Sequence, residues 1–192
     1  MKANRTDNYL KTAIILGIVF MLSACANQQV SLVYNAIGPS MGTASTMPAV
    51  MVEQFQSSVS QEAIGADSDG AAYSADKAPA VWVTEALTDE LVRLGVRASY
   101  SPYASSSNCI IKGSLDQLWL EQTGMGQYKV NIRLSVQLPP DAAGTSVRKS
   151  YTAEQSSVFM PTDANFSELI ESTLRDAVVS AAQDIKKYLQ QL

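Results

Sequence analysis

The sequence predicts an α+β fold: a mixed, largely antiparallel sheet with two helices packed on one face, after an N-terminal signal peptide and a short tether. Three observations lead to it. Residues 128–138 alternate Val130, Ile132, Leu134, Val136 and Leu138 with Asn131, Arg133, Ser135 and Gln137, the period of a strand with one buried and one wet face. Residues 80–94 place Val83, Leu87, Leu91 and Leu94 at helical spacing, with Thr84, Asp89, Glu90 and Arg93 largely on the other side. Residues 166–189 carry a long stripe through Phe166, Leu169, Ile170, Leu174, Val178, Ile185 and Leu189.

The remaining elements are read in chain order. Val30-Ser31-Leu32-Val33-Tyr34 reads as a first edge strand and residues 48–55 as a short buried one. Residues 56–79 turn to Ser, Ala, Gly and Asp, which predicts a long, mobile loop. Gly95 stands where it would end the first helix. Residues 110–121, 128–138 and 147–159 are strand-length runs, joined through Gly124 and Gly126 and through Pro139-Pro140-Asp141 and Gly144, so an antiparallel meander is expected. Asn165 followed by Glu168 has capping-box spacing for the last helix.

The chain begins with Lys2, Arg5 and Lys11 against Asp7, continues with an uncharged run from Ala13 to Leu22, and reaches Ser23, Ala24 and Cys25. That order is a signal peptide's, and the apolar run is well short of the roughly 20 residues a membrane-spanning helix needs. Leu22-Ser23-Ala24-Cys25 resembles the lipobox read by lipoprotein signal peptidase. The resemblance implies that Leu22 fills an apolar subsite, that Ser23 and Ala24 let the backbone into a narrow site, and that Cys25 is diacylated and becomes the new N-terminus. Acyl chains contribute ~0.8 kcal/mol per buried methylene, so a triacylated residue holds its membrane. Ala26 stands where an aspartate would favour inner-membrane retention, which points to the outer membrane.

Cleavage leaves about 167 residues behind Cys25, the size of one domain. From Ala26 onward 11 basic residues face 17 acidic ones, intermixed, and no basic run exists to neutralise phosphates; nucleic-acid binding is not expected. The chain has no histidine, which removes the commonest general base and metal ligand. Cys109 is the one thiol besides Cys25 and has no histidine to activate it, so it reads as a small hydrophobe at a strand start. Asp67, Asp69 and Gly70 suggest half of a calcium loop, but the distal glutamate is missing, since Ala75, Asp76 and Lys77 stand there; a solvated turn is expected, with no metal and no cofactor. Asp116 and Glu121 are the best carboxylates for an enzyme, yet their parity along a strand sends them to opposite faces. Trp82 and Trp119 are the candidate aromatic anchors for a partner, although their apolar surroundings favour the core.

The Val-rich early strand, the Ile64-Gly65 loop, the helix end Leu94-Gly95-Val96, the 128–138 strand and Lys149-Ser150-Tyr151 leading to a long C-terminal helix together resemble the YajG-like family of bacterial lipoproteins. A similar element order occurs in the lipopolysaccharide-transport lipoprotein LptE and in auxiliary lipoproteins of envelope lipid-transport ABC systems. None of these implies an enzyme. The expected organisation is residues 1–24 as a removed signal peptide, residues 25–46 as lipidated N-terminus, tether and edge strand, and residues 47–192 as a periplasmic domain. The expected function is a non-enzymatic, outer-membrane-anchored lipoprotein on the periplasmic face, an accessory or adaptor to an envelope component; the alternative is a lipid- or glycan-binding component of an envelope transport system. The expected partners are the membrane, through the acylated N-terminus, and an envelope protein.

Overall fold

The structure, a computed structural model, describes residues 28–40, 42, 47–103, 109–140 and 144–191. The elements in chain order are β1 (Gln28–Val30), β2 (Val50–Glu53), β3 (Gln56–Ser57), β4 (Gly65–Ala66), β5 (Ala72–Ala75), α1 (Pro79–Arg93), β6 (Ala98–Ser101), β7 (Ile110–Gly124), β8 (Gln127–Gln137), β9 (Arg148–Val158) and α2 (Asp163–Leu189). The fold is α+β, and both helices lie on one face of a mixed sheet.

The three long strands β7, β8 and β9 form the expected antiparallel meander. Alternation on β8 decides which face is dry: Val130, Ile132, Leu134 and Val136 are all buried, and Leu134 stands between Leu115 on β7 and Tyr151 on β9. On β7 the register slips between Leu115 and Gln117, a bulge at Asp116. The extra residue restores parity, so Leu115, Leu118 and Leu120 all reach the core. It also corrects the expectation for the two carboxylates. Asp116 bonds Ser135, whose β8 position faces away from Leu134, and Glu121 stands opposite Lys129 on that same outer face.

The far side of β7 holds the largest departure from the sequence reading. Residues 56–79 are not one long loop: β3 and β4 pair with β7 in parallel, β5 lies antiparallel to β4, and Ile64, Tyr73 and Ala75 are buried. Gly65 permits the β4–β7 approach, since a Cβ there would stand 1.9 Å from the Leu120 carbonyl oxygen. β2 runs parallel to β7 at its start, with β6, an unexpected strand, as its outer neighbour. β1 covers only Gln28–Val30, paired in parallel with β5, and Ser31–Tyr34 leave the sheet instead of continuing the strand.

α1 ends in a Schellman motif: the Val96 N–H donates to the Leu91 carbonyl and the Gly95 N–H to that of Val92, with Gly95 at φ 83°. Its buried face takes in Val83, Leu87 and Leu91 as expected, but also Thr84 and Glu90, which the helical stripe assigns to the wet side. Thr84 is satisfied by the Ala80 carbonyl and by the backbone N–H of Phe55. The cap of α2 lies one turn earlier than expected. Thr162 is the N-cap and accepts from the Asn165 N–H, while the Asn165 side chain donates back to the Met160 carbonyl, so Asn165 and Glu168 form no capping box. The core between helices and sheet includes Trp82, Leu115, Leu118, Ile132, Leu134, Leu174 and Val178, all almost fully buried. Trp119 is the exception among the expected core aromatics: it lies on the outer face opposite Asn131, 37% exposed.

Candidate functional site

Cys25 and the lipobox residues Leu22, Ser23 and Ala24 lie outside the described residues. Among the described residues no helix is long and apolar enough to cross a membrane. Only Ala26 and Asn27 stand between Cys25 and Gln28, the first residue of β1.

From β1 the chain crosses the helices as a strap, held by polar contacts to elements far away in sequence. The Ser31 N–H donates to Asp163 at the start of α2, at 3.0 Å. Asp76 accepts from the Ser31 hydroxyl and from the Leu32 N–H, both at 2.8 Å. Partial burial works against ionisation of Asp76, but these donors together with Lys77 win and hold its carboxyl below the usual range. The Trp82 indole N–H donates to the Val33 carbonyl, and the Asn35 N–H donates to Glu171 at 2.8 Å. Tyr34 reaches between the helices: its hydroxyl donates to Glu90 at 2.8 Å, and the Arg175 guanidinium stands 5.9 Å from its ring centre. Burial first, then the bond to Glu90, pushes the Tyr34 phenol far up, so it stays a donor throughout the physiological range.

Glu90 itself is wholly buried and meets Arg93 at 2.6 Å. Its carboxylate is therefore a fixture of the strap: Arg93 compensates the charge and Tyr34 fills an acceptor position. A polar residue beside a buried helical stripe is visible in the sequence, but its partner on a strap more than 50 residues upstream is not.

The outer face of the meander carries a second polar cluster. Ser114 and Ser135 donate to the two carboxylate oxygens of Asp116 at 2.6 and 2.5 Å, Arg148 donates to the Ser114 hydroxyl at 2.8 Å, and the Ser135 and Ser150 hydroxyls lie 3.0 Å apart. A cleft of about 160 Å³ adjoins it, lined by Glu53, Gln56, Lys112, Gln137 and Arg148 among others. Glu121 lies six β8 positions from the Asp116 cluster, ~20 Å at 3.3 Å per residue, too far for two carboxylates to share one reaction centre. A second groove, about 310 Å³, opens between β9 and the start of α2 and is lined by Gln155, Ser156, Ser157, Asn165, Glu168 and Ser172 beside Phe159 and Leu169.

Cys109 is half-buried at the foot of β7, and burial raises its thiol, the reverse of what a nucleophile needs. The Asp67 carboxylate accepts from the backbone N–H groups of Asp69 and Ala71, which makes residues 67–71 a turn closed on itself; among the described residues no cluster of potential ligands could hold a metal ion.

No family model matches the chain, and no curated protein matches it. Solved structures do. A protein of the DUF330 family from Xanthomonas campestris superposes with a TM-score of 0.61 at 8% identity, over 85% of this chain and 98% of that one. An uncharacterised protein superposes with a TM-score of 0.52 at 9% identity, over 85% and 99%. The chain is also similar, at a TM-score of 0.37 and 14% identity, over 75% of this chain and 94% of that one, to a minor lipoprotein from Acinetobacter baumannii. At these identities the first two likenesses speak of the fold: the element order described above spans nearly the whole of both proteins.

Proposed function

We propose that this chain is an outer-membrane-anchored lipoprotein whose domain faces the periplasm and serves, without chemistry of its own, as an accessory or adaptor to another envelope component. The observation that carries the proposal is the Leu22-Ser23-Ala24-Cys25 motif, placed directly after the uncharged run from Ala13 to Leu22. The resemblance to YajG-like lipoproteins belongs to the same reading. For the adaptor role the support is on the outer face, where Trp119 stands exposed among polar neighbours, the setting of an interface anchor, and along β9, whose one strand partner among the described residues is β8.

The alternative, a lipid- or glycan-binding component of a transport system, is favoured by one feature. The β9–α2 groove lines up hydroxyls and amides, which suit a glycan better than an acyl chain.

Metabolic labelling with a palmitate analogue tests the anchor. Wild type should label and sediment with outer membranes, whereas Cys25→Ser should do neither. An unlabelled, soluble wild type would refute the anchor. For the adaptor, a photo-crosslinking amino acid at position 119 of the anchored protein should capture a discrete envelope protein, and a clean absence of crosslinks at 119 and along β9 would count against it.

A further inference from the structure

If Cys25 carries the lipid, the fold faces the membrane with a particular end. Three peptide steps separate Cys25 from Gln28, so the acylated residue lies within ~10 Å of the start of β1. The registers say what else is at that height. Gln28 pairs with Tyr73, Tyr73 with Gly65, Gly65 with Leu120 and Leu120 with Val130. β1 is antiparallel to β7, so the N-terminal end of β1 lies towards the β7–β8 turn. At that turn Gly124 pairs with Gln127, Gln127 pairs with Val158, and the Phe159 N–H donates to the Gly126 carbonyl at 2.9 Å.

This end carries the most exposed apolar side chains on the meander. Met125 is 99% exposed, Met160 80% and Val158 73%. Scattered exposed hydrophobes need no explanation, but these three flank a single backbone hydrogen bond. The chain around them is uncharged: residues 122–128 and 155–162 contain no Asp, Glu, Lys or Arg. Charges begin behind the tip, with Lys129 and Glu154 paired at 3.0 Å and Asp163 bonded to the strap. The turn at Asp67–Gly70 also belongs to this end, since Ser68 bonds Gln122. The tip is rigid. Beneath it Tyr73, Phe166, Tyr128 and Phe159 form a chain of ring contacts at 5.2, 4.9 and 4.8 Å, fastening the β9 end and α2 to the strand beside β1.

We propose that Met125, Val158 and Met160 form a membrane-contact tip, seated at the headgroup–acyl boundary of the bilayer that holds Cys25. The inference rests on the lipidation proposed above. Five strand spacings separate β1 from β9, ~24 Å at 4.8 Å each along a flat sheet, so anchor and tip are two separate points of attachment. Two points fix the tilt of the domain, where a lipid on a long linker would leave it free. The helix C-termini, joined where Lys186 donates to the Leu94 carbonyl, then point away from the bilayer.

The test uses the mature acylated protein in vesicles of phosphatidylethanolamine and phosphatidylglycerol carrying a trace of phospholipid with a diazirine near the acyl carbonyl. After illumination, adducts should concentrate on residues 122–128 and 158–160. In a Met125→Gln, Val158→Gln, Met160→Gln variant the protein should still float with the vesicles, while adducts at these segments fall to the level of the remaining surface. Val92→Gln, which removes an exposed apolar side chain at the far end of α1, should leave the pattern unchanged. Adducts spread evenly, or centred on Val92, Tyr103 or Trp119, would overturn the tip and leave the anchor standing. Wild-type protein that does not float would overturn both.

Discussion

The two edges of β7 are built differently. On one, β8 arrives after a tight turn, with Gly124 opposite Gln127, and eleven residues of β8 then pair with eleven of β9. On the other, β2, β3 and β4 lay strands of four, two and two residues in turn along β7, bringing Met51 to Ile110 and Gly65 to Leu120. The meander holds through long ladders and one alternating face, so its stability is spread over many equivalent side chains. The short strands carry at most a brief alternation, such as Val50 and Val52 on β2, and lean on single fits such as Gly65 under the Leu120 carbonyl; the N-terminal strap, with Tyr34 on the buried Glu90, is the extreme case.

The largest effect is expected in the meander. Leu134 is fully buried between Leu115 and Tyr151, and Leu134→Ala should cost about 2–5 kcal/mol in chemical denaturation. Its neighbour Ser135 is a neutral surface position on alternation alone. Its hydroxyl is instead buried and bonded to Asp116 and lies 3.0 Å from Ser150, so Ser135→Ala should cost ~1 kcal/mol. If the two variants melt alike, the assignment of dry and wet faces is wrong.

The strap and the short strands should break at single atoms. Tyr34→Phe removes one donor from a fully buried carboxylate, and a hydrogen bond to a charged group is worth about 1.5–3 kcal/mol. The loss should be local. Amide exchange of residues 31–35 should quicken while β8 stays protected, and quickening throughout the sheet would show that strap and meander are one cooperative unit. Gly65→Ala puts a Cβ against backbone at Leu120, which cannot turn aside as a side chain could, so about 1–3 kcal/mol should be lost, again read as faster exchange in residues 64–75.

The same contrast explains what the sequence could reveal. Alternation over residues 128–138 and the stripes of both helices are local signals, and the structure reproduces them to within a few residues. Two-residue strands have no period to read, and residues 56–79 look like a loop because Ser, Gly and Asp turns outnumber Ile64, Tyr73 and Ala75. The bulge at Asp116 is the subtler failure. Leu115 and Leu118 are three apart, an odd step, and two leucines of opposite parity in one strand are the available hint that an extra residue lies between them. As for the proposed sites, Cys25 is nominated by a local motif, whereas Met125, Val158 and Met160 are brought to one end of the sheet by registers that composition does not encode.

The smallest expected effect separates two readings of one helix start. Asn165 and Glu168 have the spacing of a capping box, and on that reading Asn165→Ala loses the cap while Thr162→Ala is silent. In the structure Thr162 has extended dihedrals, φ −138° and ψ 152°, and its hydroxyl accepts from the Asn165 N–H at 3.3 Å, while Asn165 sits inside the first turn and ties back to the Met160 carbonyl at 2.9 Å. Thr162→Ala should therefore cost roughly 0.5–2 kcal/mol, at the low end because the bond is long, and Thr162→Ser should restore most of it. Asn165→Ala should keep the helix start and loosen the 159–161 segment, since the bond it removes fastens that segment and not the cap. Exchange rates tell these outcomes apart: faster exchange at residues 163–165 in the Thr162 variant places the cap at Thr162, and the same signature in the Asn165 variant returns it to the capping box. The result also bears on the tip, because Met160 belongs to the segment that Asn165 fastens, and a loosened Met160 should weaken membrane contact without touching the anchor.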